Sequence, residues 1–420
     1  MKILNPKKEN SLYKECSMPS YGGKIYIVHK DKKGKATKVR FNLDGEKFKK
    51  PCIESNDSLY IELENKTGLK IIKDNEERYG TLEETSDNLK YFKNKDLDIF
   101  PKIIEENIDN ETLLLKVEHI KKEKKDFKLP TWVPERDHKF IKNKLQAPLP
   151  VLDRLNNAFI KEHIFPEDEW CKKGNIVNDK IVDFHRFKIN KDRYIIPTEA
   201  KPEDCKKIYE NGLKRYASRG DDKWKGKIYQ GHNFSNGVTF KGYSSDEKIF
   251  DSYKKLNFCY LNKAKGKKVL DLGCNEGFFS TQASLAGAES VTSIDLCKED
   301  IQLASEIRDE ITGLKNIDYI EGDAVDFVKN DKNKYGLTFL SSVLHQIYPN
   351  TKGSEEFIQN IADKTDYLCF ESTANHKLMN ISLQEINDFF LVFFHGVRLL
   401  YLYDAYSSGY RVIFCCWEPR

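Results

Sequence analysis

Apolar and polar positions follow two different rhythms along this chain. From Lys267 onward, short apolar runs alternate with longer segments of helical period. Val269-Leu-Asp-Leu-Gly predicts a strand ending on a glycine turn, and Phe278–Ala286 predicts the helix that follows. Strands are predicted over Ser290–Asp295, Ile317–Glu321, Leu337–Ser342 and Asp366–Glu371. Helices are predicted over Lys298–Thr312, Glu355–Ala362 and Ser382–Phe394. Two further strands, Leu399–Ala405 and Gly409–Trp417, flank Tyr406-Ser-Ser. Strands alternating with helices predict a mostly parallel sheet covered on both faces. The last two strands are too close for a crossover and should pair antiparallel.

Upstream the rhythm is shorter. Lys24–His29 and Lys38–Phe41 flank a charged turn, as do Leu59–Glu64 and Gly68–Ile72, and both pairs read as hairpins. Thr81–Tyr91 reads as a helix and Leu113–Ile120 as a strand. The lysine-rich Lys121–Lys125 leads into Pro130, Pro134, Pro148 and Pro150, a boundary signal. Residues 151–163 look helical, and Ile176–Val182 holds a turn and a short strand. Residues 197–255 are polar and glycine-punctuated, with helices expected near 202–214 and 246–260. Four segments result: an α+β accessory domain (1–130), its helical or linker extension (131–196), a lead-in segment (197–260) and an α/β domain (261–420).

Composition narrows the function classes. A chain of 420 residues suits two or three domains at about 150 residues each. Hydrophobic residues at 39% place it above the disorder limit, and a net charge of +4 gives no global argument for nucleic acid. The longest apolar runs reach about six residues, whereas a membrane span needs about 20. The first residues lack the apolar stretch of a signal peptide. The ten cysteines contain no C-x-x-C pair, so they read as reduced core residues of a cytoplasmic protein without a metal site.

The strongest chemical signal is Val269-Leu-Asp-Leu-Gly-Cys-Asn-Glu-Gly-Phe-Phe-Ser280. Gly273 allows a tight turn and close backbone approach to a ligand, and Gly277 opens a helix. Asp271 stands at the carboxyl end of its strand, the edge where open α/β sheets bind ligands. Asp295 ends the next strand and can accept both ribose hydroxyls; Asp323 follows the third and can accept an adenine amino group. The glycines read G-x-x-x-G rather than G-x-G-x-x-G, so the expected ligand is a nucleoside without a diphosphate.

On these residues, 265–417 resembles a class I S-adenosylmethionine-dependent methyltransferase. The family carries D-x-G-x-x-x-G after its first strand and acids after its second and third, matched by Asp271, Gly273, Gly277, Asp295 and Asp323. The resemblance implies a Rossmann-like seven-stranded sheet whose last strand is antiparallel. It implies cofactor contacts at Asp271, Gly273, Cys274, Asn275, Gly277, Asp295, Leu296, Asp323, Ala324 and Ser341, and S-adenosyl-L-methionine as cofactor. The form of the glycine loop and the segment Ser341-Ser-Val-Leu-His-Gln-Ile-Tyr-Pro349 are similar to tRNA wobble-uridine carboxymethyltransferase-like and polysaccharide-terminating methyltransferases.

A hydroxyl acceptor needs a base, and His345, just past the fourth strand, is the candidate catalytic residue. It can equally pack the loop. Glu371, ending the fifth strand, is a candidate for substrate or metal binding, or has a helix-capping or solvated role. His232 and Tyr243 can close over the cofactor or pack against the sheet edge. Phe278 and Phe279 are expected to anchor the helix in the core. The basic runs alternate with acids and read as solvated loops before an RNA surface.

Residues 55–190 carry a fainter resemblance, to a protein-kinase-like fold. Gly68-Leu-Lys-Ile-Ile is similar to the strand bearing the ATP lysine, here Lys70, followed by a helix with Glu83 or Glu84. Asn175 and Asp183 are similar to the metal-holding pair of a phosphoryl-transfer site. Trp170 stands where that family has its catalytic Asp, Asp168 and Glu169 are out of register, and His185 replaces a Gly. The reading expects O-methylation of a sugar, glycan or related small molecule. RNA methylation, a bifunctional kinase-like protein and a non-catalytic cofactor-binding module are the alternatives.

Overall fold

The computed structural model describes residues 15–17, 24–30, 36–42, 53–54, 58–62, 67–73, 82–95, 97–109, 112–118, 120, 128–145, 147–166, 170–171, 175–177, 179–182, 187–189, 194–218, 227–242, 252–348, 351, 353–373, 381–404 and 410–420. The chain divides into two compact units, one of residues 1–125 with 172–188, the other of 126–171 with 189–420.

The second unit is built on a seven-stranded sheet: β1 (Lys268–Leu272), β2 (Ser290–Asp295), β3 (Ile317–Glu321), β4 (Tyr335–Ser341), β5 (Thr365–Thr373), β6 (Phe394–Asp404) and β7 (Tyr410–Pro419). Their order is β3-β2-β1-β4-β5-β7-β6. β1 to β5 are parallel, while β7 runs antiparallel between β5 and β6. Strand order therefore reverses at β1, and the gap between β1 and β4 is the switch point where such sheets bind ligands. β1, β4 and β5 are buried on both faces, as parallel strands under helices must be.

Helices Phe278–Leu285 and Lys298–Glu306 follow β1 and β2. A π-helical turn, Ile307–Thr312, extends the second and stops at Gly313 in left-handed conformation. Helix Leu383–Phe393 is started by a capping box in which Ser382 and Glu385 exchange hydrogen bonds, which satisfies two end groups reciprocally.

Helices Glu135–Lys144 and Leu149–Lys161 group with this unit, not with an extension of the N-terminal domain as the sequence suggested. The reason is polar as well as apolar. Buried Asp137 accepts from the hydroxyl of Tyr410 and from Leu383 N at 2.9 Å, and Tyr401 donates to Asp153. Asn156 and Trp170 each donate to a backbone carbonyl of the segment 254–257. Of the helix expected near 246–260, residues 246–251 lie outside the described residues, and Ser252–Leu256 is helical.

Within the first unit, Lys24–Lys30 pairs with Ala36–Asn42 and Ser58–Glu62 with Thr67–Lys73, the two hairpins expected. Ser58–Glu62 and Thr67–Lys73 belong to a five-stranded antiparallel sheet that ends with Thr112–Glu118 and Ile103–Asp109. Helix Leu82–Asn94 contributes Leu89 and Phe92 to its core, where the Phe100 ring packs tilted on Phe92 and edge-to-face with Phe187. Lys70 is buried, and its ammonium donates to the carbonyl of Val182 at 3.0 Å. Glu84 is exposed. The side chain of Glu83, and Asp168, Glu169, Asp183, His185 and Lys121–Lys125, lie outside the described residues.

Candidate active site

One cavity of about 740 Å³ lies at the carboxyl ends of β1 to β5. Its lining includes Gly273 and Asn275 after β1, Asp295 and Leu296 at β2, Asp323 and Ala324 past β3, and Ser341 at β4. Seven of the ten cofactor residues expected from sequence thus meet in one space. The lead-in segment adds Tyr216, Tyr229 and Gln230.

The loop after β1 is shaped by three left-handed residues, Gly273 (φ 72°), Asn275 (φ 50°) and Gly277 (φ 74°). Its backbone is anchored on β2: Gly273 N and Cys274 N donate to Ile294 O, and Asn275 N donates to Asp295 Oδ2 at 2.9 Å. The other oxygen of Asp295 accepts Cys297 N at 2.8 Å, so the carboxylate is held on the cavity wall. Asp323 caps helix Ala324–Asn330 through one oxygen, which accepts Val325 N and Asp326 N. Leu296 is 70% exposed at the rim, an apolar side chain offered beside polar ones.

The other three, Asp271, Cys274 and Gly277, do not line the cavity. Asp271 is 2% exposed and faces into the layer, where Ser280 Oγ donates to it at 2.6 Å and Ser293 Oγ donates to Ser280. Burial pushes its carboxyl up to about 7. The Cys274 side chain is buried, and burial raises its thiol well above the usual range. Gly277 is steric: a Cβ there would overlap the Tyr319 hydroxyl.

The expected base, His345, is also displaced from the cavity. It sits buried in helix Leu344–Ile347 with Nδ1 3.0 Å from Ser372 Oγ, while Val343, Gln346 and Ile347 around it face the cavity. His232 is fully buried among Phe234, Phe240 and Phe278, and burial alone lowers its pKa to about 3, so the ring is neutral. Tyr243 lies outside the described residues. Phe278 is core, as expected, but Phe279 reaches the cavity.

Two groups of residues, apart from Glu371 itself, escaped the sequence reading. Glu276, inside the glycine loop, is fully buried and accepts Tyr229 N at 2.6 Å, Gln230 N at 3.3 Å and the hydroxyl of Tyr216. Tyr216 also lies 2.8 Å from Asp300 Oδ1. Burial, then the nearby Asp300, push the Glu276 carboxyl upward. In the second group, Glu371 gathers Lys255, Arg411 and Tyr403. Lys255 Nζ lies 3.1 Å from both carboxylate oxygens, Arg411 NH1 lies 3.2 Å from one, and Tyr403 donates to the same one. Burial opposes ionisation of Glu371, but the two cations outweigh it and hold its pKa down to about 2. A carboxylate so saturated with donors is no base, and among the described residues no cluster has the form of a metal site.

Residues 263–388 match a family described as a methyltransferase domain. The ribosomal RNA large subunit methyltransferase K/L of Shewanella frigidimarina is 36% identical over 114 residues, 26% of this chain and 15% of that protein. The protein of the same name from Colwellia psychrerythraea is 26% identical over 125 residues, 29% of this chain and 17% of that one. A ubiquinone biosynthesis O-methyltransferase of Actinobacillus pleuropneumoniae is 34% identical over 115 residues, 27% of this chain and 48% of that one. The chain therefore spans less than half the length of each of these relatives. Among solved structures, the bifunctional kinase-methyltransferase WbdD aligns with a TM-score of 0.32 at 21% identity, covering 36% of this chain and 34% of that one.

Proposed function

We propose that the second unit, which carries a class I S-adenosylmethionine-dependent methyltransferase domain, methylates an oxygen of a small-molecule or glycan acceptor. The observation that carries this reading is the convergence of Asp295, Leu296, Asp323 and the Gly273 turn on one cavity. Its volume falls within the range of about 300–1,000 Å³ for pockets that enclose small ligands.

The chemistry of the lining residues suits this cofactor. Asp295 offers a fixed carboxylate for ribose hydroxyls, Asp323 an acceptor for an adenine amino group, and Leu296 an apolar face for a base. The left-handed Gly273 brings bare backbone to the cavity. Bound there, the cofactor supplies a methyl group already activated by a sulfonium. What remains for the chain is alignment and exclusion of water. Tyr229 and Gln230 roof the glycine loop through Glu276, and Phe279, Val343 and Ile347 line the wall with apolar surface.

A second reading, RNA methylation, is favoured by the ribosomal RNA methyltransferases among the relatives. The two separate in one experiment. Methyl-labelled cofactor is incubated with the full chain and extracts divided into glycan, RNA, protein and small-molecule pools, with Asp295→Ala as the blank. Label in the glycan or small-molecule pool is expected; label confined to RNA overturns the acceptor class.

A further inference from the structure

We infer that the acceptor carries a carboxylate, bound at the end of the cavity where Lys255 and Arg411 flank Glu371; this rests on the methyl-transfer reading above. Strand order separates the two ends of the site. Asp295 and Asp323 belong to β2 and β3, on one side of β1. Glu371 lies on β5, paired with Ser341 of β4, and Arg411 lies on β7, paired with Thr373 of β5. At about 4.8 Å per strand, Glu371 stands roughly 10 Å from β1 and Arg411 roughly 14 Å. All four residues Lys255, Glu371, Arg411 and Ser342 line the same cavity, so its far end is cationic space left beyond the adenosyl residues.

The charge count points to a ligand. Among the described residues, two cations of this cluster face one carboxylate, which leaves a net +1 on side chains that are only 9%, 19% and 2% exposed. The two ion pairs described for this cluster both go to Glu371, whose oxygens are already filled by Lys255, Arg411 and Tyr403. Burial works against the charge on Lys255 and Arg411, yet Glu371 outweighs it and keeps both protonated. A buried unbalanced charge is costly unless something neutralises it. One excess positive charge matches one carboxylate, and the planar guanidinium of Arg411 suits the two oxygens of that group. Ser342, which accepts from Arg411, and Tyr229 at the rim complete a polar lining.

The test is calorimetry on the full chain. S-Adenosylhomocysteine is titrated first. Glucuronate and benzoate are then compared with neutral glucose and benzamide, and with glucose 6-phosphate, on loaded and unloaded protein. A carboxylate is expected to bind at least tenfold tighter than its neutral counterpart and tighter than the phosphate. Arg411→Gln should lose that preference while S-adenosylhomocysteine affinity stays within threefold. Arg411→Lys, which keeps the charge, should retain the preference at reduced affinity and shows that the fold tolerates the position. Equal binding of charged and neutral probes, preference for the phosphate, or an Arg411→Gln defect confined to S-adenosylhomocysteine overturns the inference. Failure of S-adenosylhomocysteine to bind the wild type removes the methyl-transfer reading instead, and the carboxylate preference on unloaded protein still reads the subsite.

Discussion

Tyr229 and Glu276 are joined by a 2.6 Å hydrogen bond in which backbone N–H of the lead-in segment donates to a carboxyl oxygen inside the glycine loop. With Gln230 N and the Tyr216 hydroxyl on the same carboxyl, one buried side chain ties three lead-in residues to the loop. Glu276→Ala removes the acceptor of the two backbone donors, each at about 1–3 kcal/mol, while the Tyr216 hydroxyl keeps Asp300. The variant should unfold at lower temperature by several degrees and bind S-adenosylhomocysteine more than tenfold more weakly, as read by thermal denaturation and calorimetry.

Gly277→Ala meets both a left-handed backbone and the Tyr319 hydroxyl. Gly237 has φ 84° but nothing within 4 Å of where a methyl would stand, so Gly237→Ala isolates the backbone cost of about 1–2 kcal/mol. Urea denaturation should show Gly277→Ala losing clearly more stability than Gly237→Ala. Equal losses would mean that the contact with Tyr319 is without consequence.

Asp271 gives the protein a pH dependence of definite sign. Its folded pKa, raised by burial to about 7, lies above the ordinary value of 3.8. Between those values the unfolded chain has released the proton and the folded chain has kept it. Stability from this group is therefore present at low pH, declines as pH climbs from about 4, and levels off above about 7. Glu276 is shifted in the same direction. Denaturation midpoints from pH 5 to 8 should fall, and Asp271→Asn should flatten part of that fall.

Glu371 acts in the opposite direction and in a more acid window. Its pKa, held down to about 2 against an ordinary 4.5, contributes stability above about 4.5 that is lost as pH falls toward 2. Glu371→Gln leaves Lys255 and Arg411 without their carboxylate and should cost about 3–5 kcal/mol. Adding Lys255→Met should restore part of that loss, a coupling that a double-mutant cycle in urea measures directly.

His345→Gln tests the displaced base. With its ring held by Ser372 behind the cavity wall, the substitution should lower stability by about 1 kcal/mol and reduce kcat less than tenfold. A loss of a thousandfold with unchanged folding would return His345 to the chemistry.

The sheet was legible because each strand from Lys268 onward is specified by its own few residues, whereas the short helices Ala324–Asn330 and Leu344–Ile347 were not read. The glycine loop and the acids after β2 and β3 were legible for the same reason, since position at a strand end suffices to put Asp295 and Asp323 on the cavity. Asp271 shows the limit. It is also at a strand end, but Ser280 and Ser293 draw its carboxyl into the layer, and neither partner is implied by the local motif. The Lys255, Glu371, Tyr403 and Arg411 cluster was illegible because its members come from one helix and three strands, brought together by strand order alone. Glu276 carried one usable signal, an acid between two left-handed loop residues. The helices at 135–161 were assigned to the wrong neighbour because proline punctuation marks a break in the chain but does not reveal which side a buried Asp137 will find its donors.

The position of β7 between β5 and β6 sets an order of events in synthesis. Until residues 410–419 have left the ribosome, β5 and β6 each present an open row of backbone donors and acceptors with no partner between them. The nascent unit is then vulnerable to aggregation, and the cationic end of its cavity does not yet exist, because Arg411 arrives with that last insertion.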